Sequence, residues 1–183
     1  VEFLLLQFGL PRSALYRVNG PVNLVRLNEL IDQADAPGLR FAPFEPAWPV
    51  ALSRQRPIFE QLQKGDVLLH HPFESFEPVV QFLREAVHDP AVLAIKQTMY
   101  RTSPDSPILE ALINAAGRGK QVAVLVELTA RFDEANNIEW ARKLERAGVH
   151  VAYGNPNQKI HSKISLVVRE EVGGVTMYAH IGT

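Results

Sequence analysis

The stretch "NPNQKIHSKISLVV", residues 155–168, sets His161 and Lys163 two positions apart at the head of an apolar run. A neutral imidazole can attack phosphorus as a nucleophile, and an ammonium beside it can hold an anion. In an extended strand alternate side chains share a face. His161, Lys163, Ser165 and Val167 are therefore expected on one side, and Ile160, Ser162, Ile164, Leu166 and Val168 on the other. The two basic groups then stand roughly 7 Å apart. The polar row is expected to face a pocket and the apolar row to feed the core. An isolated H-x-K also describes a solvated strand start, so its meaning depends on what surrounds it. Two arginines bear on that: Arg101 in "MYRTSPDS" and Arg131 in "TARFDEANN" each follow an apolar run. Convergent Arg and Lys are a common means of holding phosphate oxygens, because guanidinium bonds them bidentately and keeps its charge.

The elements that must place these groups follow from hydrophobic period and punctuation. A helix is predicted over 22–33, "VNLVRLNELIDQ", with Pro21 at its first turn and Val22, Val25, Leu27, Leu30 and Ile31 apolar. A Pro-rich connector follows, and "SRQRP" (53–57) is the expected boundary. Beyond it the pattern turns regular. A short helix "PIFEQLQKG" precedes a predicted strand at 66–70. A helix at 77–88 carries Val79, Val80, Phe82, Leu83, Ala86 and Val87 on one broad face. Strand 91–98 leads to a helix with Ser106 as N-cap, Pro107 at its first position and Gly119 past its end. Strand 121–128 is apolar on both faces and so expected in the middle of a sheet. A helix ending at Gly148 and strand 149–153 come next. A strand starting near Ile160 runs to a hairpin turn at "REEVGG" and returns as "VTMYAHI". Strands alternating with helices indicate βαβ units, hence a mostly parallel sheet covered on both sides and made mixed by the terminal hairpin.

Composition narrows the function. With 46% hydrophobic and 21% charged residues the chain has the make-up of a soluble globular protein. A net charge of −1 argues against a globally basic nucleic-acid binder, while leaving room for a local basic pocket. Without cysteine there is neither a disulfide nor a thiolate metal site. The chain opens at Val1 and stops at "YAHIGT" within an expected strand end, the layout of a piece of a longer protein.

In such sheets ligands bind beyond the carboxyl ends of the parallel strands. "HHPFES", Arg101, Arg131 and the loop leading to His161 are all expected there. Each has a plainer alternative. Arg131 could pair locally with Asp133 or Glu134 at a helix start, where Asp133 or Asn136 would cap. His70 and His71 could be turn residues, and Ser75 and Glu77 could simply begin a helix. His88 and His150 are read as structural, and His180 as a lesser candidate for the same site.

The stretches "DVLLHHPFESFEPVVQFLREA", "VLAIKQTMYRT", "GKQVAVLVELTARFDEANNIEWARKLERAGVHVAYG", "KIHSK" and "YAHIGT" together resemble the bacterial polyphosphate kinases of the first type, which are phospholipase-D-like. The resemblance implies a phospholipase-D-like α/β sandwich, with a mixed, mostly parallel sheet flanked by helices. Residues 57–183 resemble most of the first C-terminal catalytic domain, cut short at its end. Residues 1–56 resemble the close of an α+β head domain. The implied reaction is reversible transfer of the terminal phosphate of ATP to polyphosphate through a phosphohistidine, with magnesium (Mg2+). The family's phosphorylated histidine falls on His161 and the lysine of its H-x-K on Lys163. Its two arginines, credited with magnesium or phosphate contacts, fall on Arg101 and Arg131. A guanidinium is a cation with donors only, so both are assigned to phosphate oxygens, with magnesium bridging through the phosphates. The superfamily's aspartate five positions after the lysine is replaced by Val168, which weakens a phospholipase-like phosphodiesterase or phosphatidyltransferase alternative. A non-catalytic polyanion-binding α/β module is the third reading. The implied partners are ATP or ADP and polyphosphate, with no nucleic acid. A cytoplasmic location, peripheral membrane association of the parent and a full-length homo-oligomer complete the implied picture. This piece alone is expected to be inactive.

Overall fold

The computed structural model describes residues 1–103, 106–127, 134–155 and 157–182. The chain divides into two compact units, Val1–Phe44 and Glu45–Thr183. The first holds α1 (Glu2–Gln7), three short 3-10 turns and α2 (Asn28–Gln33). Neither helix buries a residue. The helix expected over 22–33 is shorter than its apolar pattern suggested: Leu24–Leu27 is a 3-10 turn, and α2 begins only at Asn28. Asn23 lies in the left-handed region at φ 61°, which a right-handed helix running from Val22 cannot pass through. The apolar residues Val25, Leu30 and Ile31 remain exposed.

The second unit is built on one five-stranded sheet. It opens with α3 (Ile58–Leu62) and α4 (Glu77–His88), then β1 (Val92–Met99), α5 (Pro107–Gly117), β2 (Gln121–Val126), α6 (Glu134–Arg146), β3 (His150–Tyr153), β4 (Lys163–Glu171) and β5 (Gly174–Gly182). The strand order is β3-β2-β1-β4-β5. β1, β2 and β3 run parallel, while β4 is antiparallel to β1 and β5 to β4. This is a mixed α/β sheet flanked by helices. Among the described residues no helix is long and apolar enough to cross a membrane.

The core explains the arrangement. α4 buries Val79, Val80, Phe82, Leu83, Ala86 and Val87, the face expected from the sequence. α5 starts where Ser106 and Pro107 place it and ends before Gly119, whose φ of +81° suits the residue past a helix end. Leu109, Leu112 and Ala115 of α5 and Trp140, Ala141 and Leu144 of α6 pack with Ile95, Val122, Val124, Val126 and Val167 of the sheet. At about 25 cal/mol per Å² of apolar surface, this shared core is the main stabilising term of the unit.

Four details differ from the sequence expectation. Residues 66–70 join no ladder among the described residues. Val67 and Leu69 pack on the core while Leu68 is 91% exposed, so packing alone accounts for the alternation. β2 does lie inside the sheet, but its burial alternates: Val122, Val124 and Val126 are covered, whereas Leu125 on the opposite face is exposed. Leu93, Met177 and Ile181 are likewise exposed, so the sheet is not covered on both sides among the described residues. Finally, β4 begins at Lys163 rather than near Ile160, and its row containing Lys163, Ser165 and Val167 is the one that turns into the core. Ser165 is 2% and Val167 0% exposed. The buried hydroxyl is satisfied by donating to Gln97 Oε1 at 2.6 Å on the neighbouring strand.

Candidate active site

β1 and β2 deliver their last residues to one edge of the sheet, and the segment before β4 crosses that edge. Tyr100, directly after β1, is half-buried and becomes the centre of the site. The His161 ring meets the Tyr100 ring edge-on, with centroids 5.6 Å apart. Lys163 Nζ lies 4.7 Å from the same ring centroid, and the Arg101 guanidinium carbon lies 5.5 Å from it. Two cations and an imidazole thus share one aromatic ring. A cation on a ring face gains about 0.5–2 kcal/mol. Lys163 Nζ also donates to the His161 carbonyl at 2.6 Å, tying the lysine to the backbone of the histidine it accompanies.

The frame beneath this cluster is polar and buried. Asn137 of α6 is fully buried. Its amide donates to the Tyr100 carbonyl at 3.0 Å and the Glu127 carbonyl at 2.9 Å, and its oxygen accepts from Trp140 Nε1 at 3.0 Å. The Glu127 amide donates to the Met99 carbonyl at 2.9 Å, extending the contact between the ends of β1 and β2. Glu127, only 5% exposed, turns its carboxylate toward the histidine segment, where Oε2 accepts from the Ile160 amide at 2.8 Å. Thr98 on β1 bonds the same segment twice: Oγ1 donates to the Ser162 carbonyl at 2.7 Å and accepts from the Ile164 amide at 2.8 Å. The Ile160 side chain lies over Gly154, where an added Cβ would sit 2.7 Å from its Cδ1. A side chain at 154 would require the Ile160 side chain to move.

Of the four residues read from the sequence, the structure brings three together: His161, Lys163 and Arg101. Arg131 lies outside the described residues. Tyr100, Thr98, Glu127 and Asn137 were not singled out by the sequence. Tyr100 stood inside the quoted "MYRT", and Glu127 was a lone acid ending an apolar strand, a signal that could have marked it. The remaining histidines lie elsewhere. His71 Nδ1 is 2.8 Å from the Glu74 carbonyl, and the His70 amide donates to Glu74 Oε2 at 2.7 Å, so both belong to a turn. Phe76 meets the rings of His71 and His180. These histidines border an apolar cavity of about 400 Å³, also lined by Val67, Phe82 and Ala179. Its lining includes none of His161, Lys163 or Arg101. Burial, and then the nearness of His71, lowers the pKa of His180. His88 closes α4 and His150 opens β3, both exposed.

The donor set does not suit direct magnesium binding. Mg2+ requires oxygen ligands, whereas Arg101 and Lys163 offer only cationic donors. Among the described residues no group of three or more acidic or histidine side chains is placed to hold a metal. Magnesium brought by a nucleotide would have to be held on phosphate oxygens.

Comparison with known proteins places the chain in a family. The family model described as polyphosphate kinase C-terminal domain 1 matches residues 57–183. The polyphosphate kinase of Neisseria gonorrhoeae is 53% identical over 182 residues, a match covering 100% of this chain and 27% of that protein. The polyphosphate kinase of Burkholderia multivorans is 49% identical over 187 residues, with the same shares. Among solved structures, the crystal structure of polyphosphate kinase from Porphyromonas gingivalis superposes with a TM-score of 0.65 at 35% identity, covering 85% of this chain and 26% of that one. The chain spans 27% of the length of these curated relatives.

Proposed function

Because the chain belongs to the family of the polyphosphate kinase C-terminal domain 1, we propose that its parent transfers the terminal phosphate of ATP to polyphosphate, with His161 as the covalent carrier. One neutral imidazole nitrogen of His161 attacks the γ-phosphorus. A nitrogen–phosphorus bond forms, the bond from phosphorus to the bridging oxygen breaks, and ADP leaves with that electron pair. A terminal oxygen of a polyphosphate chain then attacks the same phosphorus, the nitrogen–phosphorus bond breaks, and the chain is one phosphate longer. Each step is its own reverse under the opposite concentrations, so the reading includes reversibility. Phosphoryl transfer of this kind needs positioning and charge neutralisation more than covalent help. Lys163 and Arg101 supply positive charge beside the imidazole, and Arg131 is assigned to phosphate oxygens with them. Any magnesium is carried by the phosphates.

The observation that supports this most directly is the gathering of His161, Lys163 and Arg101 on the Tyr100 ring, at the sheet edge where phosphates are expected. The chain's 27% share of its relatives leaves room for other parts of the parent to complete the active site, so the isolated chain is expected to lack turnover. Labelling the full-length parent with ATP carrying radioactive γ-phosphate provides the test. The label should be acid-labile and alkali-stable, vanish in His161→Ala, and persist in His88→Ala and His150→Ala. Label retained by His161→Ala, or found on serine, would remove His161 from this role.

A further inference from the structure

The peptide groups on both sides of His161 are gripped by side chains whose bonds hold the segment itself. The regular β1–β4 ladder ends at Gln97↔Ser165. One step further along β1, the Thr98 hydroxyl replaces it, donating to the Ser162 carbonyl and accepting from the Ile164 amide. Only a group that is donor and acceptor at once can do this; a carboxylate or ammonium cannot. On the other side of His161, the Glu127 carboxylate accepts from the Ile160 amide. This bond fixes the Ile160 peptide from the β2 side of the site. The segment from Ile160 to Ile164 is thus held at three backbone points, while the His161 ring is left exposed against Tyr100.

We infer that Thr98 and Glu127 are positioning residues for phosphoryl transfer, fixing the backbone that carries His161 so that its imidazole presents phosphorus in line to both donor and acceptor. The inference rests on the proposed role of His161. A histidine that serves two successive partners must return to one place, and displacements of an ångström are enough to cost rate. Thr98 and Glu127 act through the backbone without touching phosphate. Their loss should therefore slow the chemical step and leave nucleotide affinity nearly intact.

The test uses the full-length parent, with single-turnover phosphoenzyme formation, KM for ATP and thermal melts measured on the same preparations. Thr98→Val keeps the shape and removes both bonds; it should slow phosphoenzyme formation by roughly 10- to 100-fold with KM changed less than about threefold. Thr98→Ser, which keeps the hydroxyl, should recover most of the rate. Glu127→Gln keeps size but replaces one carboxylate oxygen with an amide donor, weakening the hold on the Ile160 amide, and should slow the step by roughly 3- to 30-fold. His161→Ala runs alongside. Loss of label there, with wild-type transfer rates in Thr98→Val and Glu127→Gln, would overturn the positioning role alone. Label persisting in His161→Ala would overturn the carrier assignment and this inference together. A rise in KM at unchanged rate, or a folded Thr98→Ser as slow as Thr98→Val, would also overturn it. Should Thr98→Val fail to fold, Glu127→Gln and Thr98→Ser still decide the matter by rate.

Discussion

At its Glu171 end, β4 places Arg169 between two carboxylates. Nε donates to Asp89 Oδ2 at 2.8 Å and Nη1 to Glu171 Oε1, while the guanidinium carbon lies 5.4 Å from the Phe59 ring centroid. At its other end, Lys163 touches a backbone carbonyl and the Tyr100 ring. One cation is neutralised by acids; the other is held by groups that leave its charge uncancelled. The first arrangement stabilises a fold. The second is the arrangement that the proposed phosphate-binding role of Lys163 requires. Titration at the Arg169 end reflects this neutralisation. Burial works against the Asp89 carboxylate, yet Arg169 and the Ala91 amide outweigh it and hold its pKa below the usual value. The Tyr178 hydroxyl, followed by Arg169, lowers that of Glu171.

If the two ends divide the work in this way, single substitutions should separate turnover from stability. The largest effect is expected at the Lys163 end. Lys163→Met in the parent should lower turnover by roughly one to three orders of magnitude, the range for losing one charge-stabilising donor. Its melting temperature should barely move. Unchanged turnover would make Lys163 a structural residue and erase the contrast. Arg169→Met should do the reverse. It removes the cation that Asp89 and Glu171 share and should lower the urea midpoint, by less than breaking a fully buried pair would, because the side chains are about one-fifth exposed. Urea denaturation of the chain would measure the loss, and transfer rate per folded molecule in the parent should stay near wild type. A rate loss exceeding the stability loss would place Arg169 in the chemistry.

The smallest expected effect concerns pH. Burial, and then the nearness of His71, holds the pKa of His180 below the ordinary histidine value. The unfolded chain therefore binds the proton more readily, and the stability His180 contributes is complete above about pH 6.5 and falls as pH drops toward the folded value. Asp89 contributes in the same sense at lower pH, since its depressed pKa lies below 3.8. His180→Gln should flatten the acid side of a stability–pH profile below about pH 6.5. A profile unchanged by the substitution would mean that neither burial nor His71 bears on this ring.

Much of the fold was legible because helices and hairpins write themselves in local pattern. α4 spans the 77–88 expected from its apolar face, and the β4–β5 turn falls within "REEVGG". Where the pattern misled, geometry beyond the local stretch decided. Residues 66–70 alternate in burial yet lack a ladder partner among the described residues, and periodicity carries no information about pairing. The early end of the β4 ladder also escaped notice, because a threonine hydroxyl on β1 replaces its bonds with Ser162 and Ile164. His161, Lys163 and Arg101 were legible from residue type, the sheet-edge rule and the family likeness. Glu127 and Asn137 act on backbone groups far along the chain, a kind of contact that leaves no periodic mark.

The grip on the histidine segment also bears on the order in which the molecule assembles. Thr98 reaches Ser162 across 64 residues of sequence, Glu127 reaches Ile160 across 33, and Asn137 reaches Tyr100 across 37. None of these bonds can form within a local stretch, and each must wait for a long loop to close. On a ribosome, α4, β1 and α5 emerge well before residues 160–164 exist to be held. The helical layer can begin to pack while His161 is still unmade, and the surroundings of the histidine are acquired late. If His161 carries the phosphate, loosening residues 160–164 from Thr98 and Glu127 would lower transfer without opening the packing of α4 on α5.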